Sequence, residues 1–223
     1  MFLYAYSSPS TLNSYSSRVY REAVLVEITP PWDTIDDGVA ECVVDAVRFA
    51  EERGAVLIYK VDSYGGYLNS AFTIGDRLYV ANVVTVAYIE NKALSAGTLI
   101  TLPADLVVAR RGSVMGAMQP VIFNPITGEI TFINESKIIE PLLKKAEVYS
   151  ERGGRNISLV REFILNARSV DAQTAFENNI VDLLVNDYRE LLATLRDYNL
   201  TRGGSTYRLE VNRITTYSCS LRS

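Results

Sequence analysis

Three stretches decide the fold: Val56-Leu57-Ile58-Tyr59-Lys60-Val61-Asp62-Ser63-Tyr64-Gly65-Gly66, then Asn91-Lys92-Ala93-Leu94-Ser95-Ala96-Gly97, then Arg111-Gly112-Ser113-Val114-Met115-Gly116-Ala117-Met118-Gln119-Pro120. Each contains or follows an apolar run of β type and ends in small residues, which let backbone approach a neighbour or ligand closely. Where such a turn follows a strand and opens a helix, the first helical N–H groups lack intrahelical acceptors and aim at one point. Ser95, flanked by Ala96 and Gly97, occupies a turn of this kind, with steric room for a nucleophile. Ser and Gly are also ordinary cap and turn residues, so this turn alone leaves both readings open.

Outward from this centre, strand and helix patterns alternate. Ala23–Thr29, Val56–Val61, Val83–Ile89, Leu106–Ala109 and Ile180–Val185 read as strands. Between them, Asp36–Arg53 places Val39, Cys42, Val43, Ala46, Val47 and Ala50 at the helical period, with Asp33 or Thr34 offering a cap and Gly54 a stop. Tyr67–Tyr79, Ser95–Thr101, Ser136–Glu151, Leu159–Asn166, Val170–Asn178 and Asp187–Asp197 are further helical patterns, and Pro141 suggests a regular start near Glu140. Such alternation predicts parallel β-α-β units with right-handed crossovers. Val121–Ile133 breaks it and reads as a hairpin turning at Asn124-Pro125 and Gly128. The organisation expected is a flexible segment 1–20, one domain over 21–199, and a hairpin or linker tail 200–223.

At 223 residues the chain can bury a sizeable core, and 48% hydrophobic with 22% charged residues is ordinary for a globular protein. A net charge of −4, with no basic run longer than two residues, gives no nucleic-acid footprint. Cys42 and Cys219 have no metal-ligand spacing, and their pairing cannot be decided from sequence. Three Asn-X-Ser/Thr triplets begin at Asn134, Asn156 and Asn199. No cofactor or metal is expected: Gly65-Gly66 lacks the Lys-Ser/Thr of a phosphate loop, and Asp62 and Asp105 belong to no cluster.

The chain has no histidine. Any serine nucleophile must therefore use Lys, Asp or Glu as its base, and Ser-Lys pairs are a known variant. At this point Asp62-Ser63-Tyr64-Gly65-Gly66, Ala93-Leu94-Ser95-Ala96-Gly97-Thr98, Gly112–Pro120 and a lysine after the hairpin resemble the ClpP-like serine proteases. More narrowly they resemble the NfeD-type membrane proteases encoded beside stomatin, over roughly Arg21–Leu192. The resemblance implies a ClpP/crotonase-type α/β fold, a parallel spiral core with an inserted hairpin and a helical C-terminal part. It implies Ser95 as nucleophile, Lys137 as general base, and backbone N–H groups of Gly65 or Gly66 and of Ala96 as oxyanion donors. It further implies apolar peptide substrates, including the C-terminal region of a stomatin-like protein, and membrane anchorage by segments absent here, with the protease domain outside the cell. Tyr64 stands where the family usually has Pro, and Met118-Gln119 where it has a small residue or basic pair.

An amine becomes a base at neutral pH only when burial lowers its pKa from about 10.4 toward 7–8. Lys137, between Ile133 and Ile138-Ile139 at a hairpin-to-helix junction, is expected to be so buried, although Glu135 and Glu140 beside it equally suit a solvated lysine. Lys92 is the rival, read as lying in a solvated loop. Lys60 is expected in a strand upstream of the glycine turn, and Lys144 and Lys145 on a wet helix face. A homo-oligomer is expected from the apolar hairpin. Two alternatives stand beside the peptidase: a crotonase-type acyl-CoA enzyme, and a catalytically silent scaffold for stomatin-like proteins.

Overall fold

The structure is a computed structural model and describes residues 18–124 and 126–219. In chain order it runs β1 (Arg18–Ile28), β2 (Thr34–Ile35), α1 (Asp37–Arg53), β3 (Val56–Ser63), β4 (Gly65–Gly66), α2 (Leu68–Tyr79) and β5 (Thr85–Leu94). Then come α3 (Ala96–Thr101), β6 (Leu106–Arg110), β7 (Val114–Gly116), the hairpin β8 (Val121–Phe123) and β9 (Ile130–Phe132), and α4 (Ser136–Gly153). The chain continues through α5 (Ile157–Leu165), β10 (Ser169–Asp171), α6 (Ala172–Glu177), β11 (Leu183–Val185), α7 (Tyr188–Thr194), β12 (Tyr198–Arg202) and β13 (Ser205–Thr216).

The main sheet has the order β10-β7-β5-β3-β1-β13-β12, with β6 bonded to β5 and to β11. Every pairing in it is parallel except β7–β10 and β12–β13. β5 splits the sheet. Val86–Ile89 pairs with β6, whereas Lys92–Leu94 pairs with β7, so β7 takes over the edge that β6 leaves. This branching curls the sheet around the C-terminal end of β5, where Ser95 follows. The expected ClpP/crotonase-type spiral and inserted hairpin are both present.

Burial explains why the central strands read as continuous apolar runs. Val56 through Tyr59 are all fully buried, as a parallel strand covered on both faces must be. Each large aliphatic side chain so buried contributes about 1.5–3 kcal/mol relative to exposure. The fully buried Asp105 carboxylate accepts from the Thr85 amide at 2.8 Å and its hydroxyl at 3.0 Å, and pairs with Arg152 at 3.1 Å and Arg202 at 3.2 Å. It joins β5, α4 and β12.

Several local expectations change. Asp36, not Asp33 or Thr34, caps α1, accepting from Val39 N–H at 2.9 Å, because Thr34–Ile35 pairs with Gly65–Gly66 as a small parallel ladder. α4 begins at Ser136, with Ile138 and Ile139 N–H donating to Glu135, and carries Pro141 within it. The first strand begins at Arg18, inside the segment expected to be flexible, and residues 1–17 lie outside the described ones. The stretch expected as a hairpin or linker tail does form the antiparallel β12–β13 hairpin, but β13 also pairs with β1 and so belongs to the main sheet. Cys42 and Cys219 form a disulfide with a Cα–Cα distance of 5.4 Å.

Candidate active site

Ser95 joins β5 to α3 with φ 53° and ψ −121°, a backbone conformation that L residues rarely adopt. Strand, strained serine and helix together form the geometry of a nucleophile elbow. Its N–H donates to Gly116 C=O at 2.8 Å, and its C=O accepts from Leu99 N–H at 3.2 Å. The buried Thr98 hydroxyl pins the same place: it donates to Ala93 C=O at 2.5 Å and accepts from Gly116 N–H at 2.8 Å. Gly116 has φ +117°, and a Cβ there would stand 2.4 Å from Arg168 C=O. Ser95 itself is half-buried, and no hydrogen bond of its hydroxyl is formed among the described residues.

Gly65 packs directly on this elbow. With φ +116°, its Cβ would fall 2.8 Å from Ser95 Cβ and 3.2 Å from Ala96 N, so only glycine fits. Ala96 is the first residue of α3, and its N–H has no acceptor within the helix. The two glycine amides are not equivalent. Gly65 N–H donates to Ser63 Oγ at 3.0 Å. Tyr67 N–H donates to Ile35 C=O at 2.8 Å, and Ile35 lies in register with Gly66. In a parallel ladder that pattern leaves the Gly66 N–H outside the pairing.

Lys137 is linked to the same elbow through the base of the hairpin. Gly116 bonds to Ser95; four residues on, Pro120 C=O accepts Ile133 N–H at 2.9 Å, closing the hairpin base; four residues further stands Lys137, in the first turn of α4. The burial expected for Lys137 is not met: its side chain is exposed, and no hydrogen bond joins it to Ser95 among the described residues.

The other lysines are held elsewhere. Lys92 lies in β5, not in a solvated loop. Its ammonium meets Asp62 Oδ1 at 2.7 Å and sits 4.2 Å from the Tyr64 ring centroid. The hydrogen bond it donates to the Asp62 carboxylate holds the Lys92 ammonium above the ordinary lysine range, the wrong direction for a base. Burial pushes the Asp62 carboxyl up, but the hydrogen bonds from Lys92 and from Asn91 at 2.6 Å outweigh it and hold the carboxyl below its ordinary value. Lys60 pairs with Glu90 at 2.8 Å and Glu27 at 3.5 Å, Lys144 with Glu147 at 2.9 Å, and Lys145 with Asp76 at 2.5 Å.

Exposed apolar side chains stand on the glycine turn and on the hairpin. Tyr64 and Tyr67 flank the glycine pair and are exposed, and Trp32 is exposed just before β2. The hairpin exposes Val121, Ile122, Phe123, Ile126, Ile130 and Phe132, with Ile126 92% exposed. Met118, by contrast, is buried in the core, so its departure from the family pattern concerns packing. Among the described residues no group of three or more His, Cys, Asp or Glu could hold a metal, and no helix is long and apolar enough to cross a membrane.

The NfeD1b N-terminal domain family matches residues 25–128. The membrane-bound protease PH1510 of Pyrococcus horikoshii is 25% identical over 150 residues, covering 66% of this chain and 34% of that protein. The ATP-dependent Clp protease proteolytic subunit 1 of Protochlamydia amoebophila is 22% identical over 169 residues, 73% of this chain and 82% of that one. The membrane protein NfeD1b of Bacillus subtilis is 29% identical over 97 residues, 43% of this chain. The chain thus spans only 34% and 22% of the Pyrococcus and Bacillus relatives. Among solved structures, a lysine-to-alanine variant of the 1510-N membrane-bound stomatin-specific protease, in complex with a substrate peptide, superposes with TM-score 0.76 at 20% identity, covering 93% of this chain and 95% of that one. ClpP1 from Listeria monocytogenes gives TM-score 0.55 at 16% identity, covering 78% and 94%. The fold is therefore ClpP-like, and over residues 25–128, which carry both the glycine turn and the Ser95 elbow, the chain matches the NfeD1b N-terminal domain.

Proposed function

We propose that this chain is a serine endopeptidase domain with a Ser-Lys dyad that cleaves apolar peptide segments. The observation that carries the reading is Ser95: a serine held at positive φ between a parallel strand and a helix, with Gly65 in contact. In the proposed reaction Ser95 Oγ attacks the scissile carbonyl carbon, and its proton passes to Lys137 Nζ. The carbonyl oxygen becomes an oxyanion stabilised by the N–H groups of Ala96 and of Gly66, since Gly65 N–H is already engaged. Lys137 then returns the proton to the leaving amine, and water releases the acyl group from Ser95.

The likeness to a stomatin-specific protease supports a stomatin-like membrane protein as substrate, its apolar C-terminal region suiting the exposed Tyr64, Tyr67 and hairpin side chains. Membrane-bound relatives support anchorage by segments outside this chain, and the Cys42–Cys219 disulfide supports an oxidising location outside the cell. The active form is a homo-oligomer in which a partner subunit covers the apolar hairpin and brings Lys137 out of water. Light scattering should then find an oligomer wherever peptide is cleaved; a monomer that cleaves peptide refutes this arrangement.

A fluorophosphonate, with the modified residue located by mass spectrometry, tests the function. Labelling of Ser95, and its loss with all peptidase activity in Ser95→Ala, is expected; an unlabelled, inactive but folded oligomer would instead make the chain a binding scaffold.

A further inference from the structure

One buried hydroxyl beside the site belongs to neither nucleophile nor base. Ser63 ends β3 and is fully buried. Its Oγ donates to Asp33 C=O and accepts the Gly65 N–H at 3.0 Å, with Gly65 C=O a longer contact at 3.4 Å. Asp33 leads into β2 and Gly65 begins β4, so one hydroxyl fastens the two paired strands where they start. Ser63 also faces α3: a Cβ on Gly97, one residue beyond Ala96, would lie 3.4 Å from Ser63 C=O and 3.6 Å from Ser63 Cβ.

A hydroxyl has one proton and two lone pairs. Here the proton goes to Asp33 and one lone pair receives Gly65. With the Gly65 amide so committed, it cannot turn to a substrate oxygen, and the next amide, of Gly66, is the one presented outside the ladder. Without the hydroxyl, the buried Gly65 N–H and the half-buried Asp33 C=O lose their partner, and the peptide planes on either side of Gly65 can rotate to find others.

We infer that Ser63 is a positioning residue that fixes which glycine amide serves the oxyanion and holds it against α3. The inference rests on the serine-peptidase reading above and adds to it. It acts on the transition state, because a neutral ground-state carbonyl gains far less than an oxyanion from a well-aimed donor.

The test compares wild type with Ser63→Ala at a temperature below both measured unfolding midpoints. For an apolar peptide that the wild type cleaves, kcat should fall about tenfold to a hundredfold, somewhat less than the roughly hundred- to thousandfold typical of losing an oxyanion donor outright. KM should stay within about twofold, since ground-state binding is untouched. Affinity for a peptide aldehyde, whose hemiacetal oxygen occupies the oxyanion position, should fall by the same factor as kcat. The uncleaved peptide should bind Ser95→Ala and the Ser63→Ala, Ser95→Ala double variant equally. An unchanged kcat overturns the inference, as does equal loss of aldehyde and uncleaved-peptide binding, which would mark a collapsed cleft. A wild-type chain that neither cleaves peptide nor takes fluorophosphonate at Ser95 overturns the peptidase reading itself.

Discussion

At the scale of single residues, the question is which lysine can serve Ser95. Lys92 is near in sequence but is bound by Asp62 and lies against Tyr64, so it stays protonated. We expect Lys92→Ala to keep peptidase activity within a few-fold while losing about 1 kcal/mol of stability at pH 7, the scale of a partly exposed pair. The sign of the pH dependence follows from Asp62, whose folded pKa is lowered. Its stabilisation is present above the unfolded aspartate value near about 3.9 and is lost as pH falls through the lowered value. Wild type and variant should therefore converge in acid-dependent denaturant midpoints, and a gap that persists there contradicts the pairing. Lys137→Arg and Lys137→Ala should be equally inactive, because a guanidinium keeps its proton; an active Lys137→Ala enzyme would move the base elsewhere. Ser95 was legible in sequence because strand, small-residue turn and helix are local signals. Its φ of 53° was not, since Gly116 and Gly65, which impose it, act from other segments. Lys137 rested on the resemblance and on an expected burial that the single chain does not provide.

At the scale of elements, the site is a junction of β5, α3, β7 and the β2–β4 ladder, held by hydroxyls and glycines. Thr98 is its clearest clamp, bonding Ala93 and Gly116 from within the core. Thr98→Val preserves the shape but takes the acceptor from the Gly116 N–H and the hydroxyl donor from the Ala93 C=O, so we expect a loss of about 1–3 kcal/mol and slower labelling of Ser95. Urea denaturation and the fluorophosphonate rate measure the two effects; neither changing would mean that β7 is held without the hydroxyl. Most helices were legible from their period, and the hairpin from Asn124 and Gly128. β2 was missed because a two-residue strand has no periodicity, and its pairing with Gly65–Gly66 is visible only in space. Lys92 was misplaced for a related reason: β5 continues past Glu90 because β7 replaces β6 as its neighbour.

At the scale of the whole molecule, the two ends of the described chain meet. Arg18–Leu25 of β1 lie parallel to β13, and Cys219 just beyond β13 is bonded to Cys42 of α1. Neither contact could be read from sequence, because the partners are almost a full chain length apart and nothing local announces them. The same separation gives the disulfide its leverage. Closing a loop with a sequence separation of 177 removes chain entropy worth about 5 kcal/mol at 25 °C in the loop-closure account. At about 2–4 °C per kcal/mol for a domain of this size, the Cys42→Ser, Cys219→Ser double variant should melt about 10–20 °C below the oxidised wild type. Reductant should lower the wild-type midpoint by a similar amount and leave the variant unmoved. Near 15 °C both should still take fluorophosphonate at Ser95, because the elbow is held by Gly116, Thr98 and Gly65 and not by either cysteine. Coincident melting of oxidised, reduced and double-variant chains would show that β13 stays in the sheet on its β1 ladder alone.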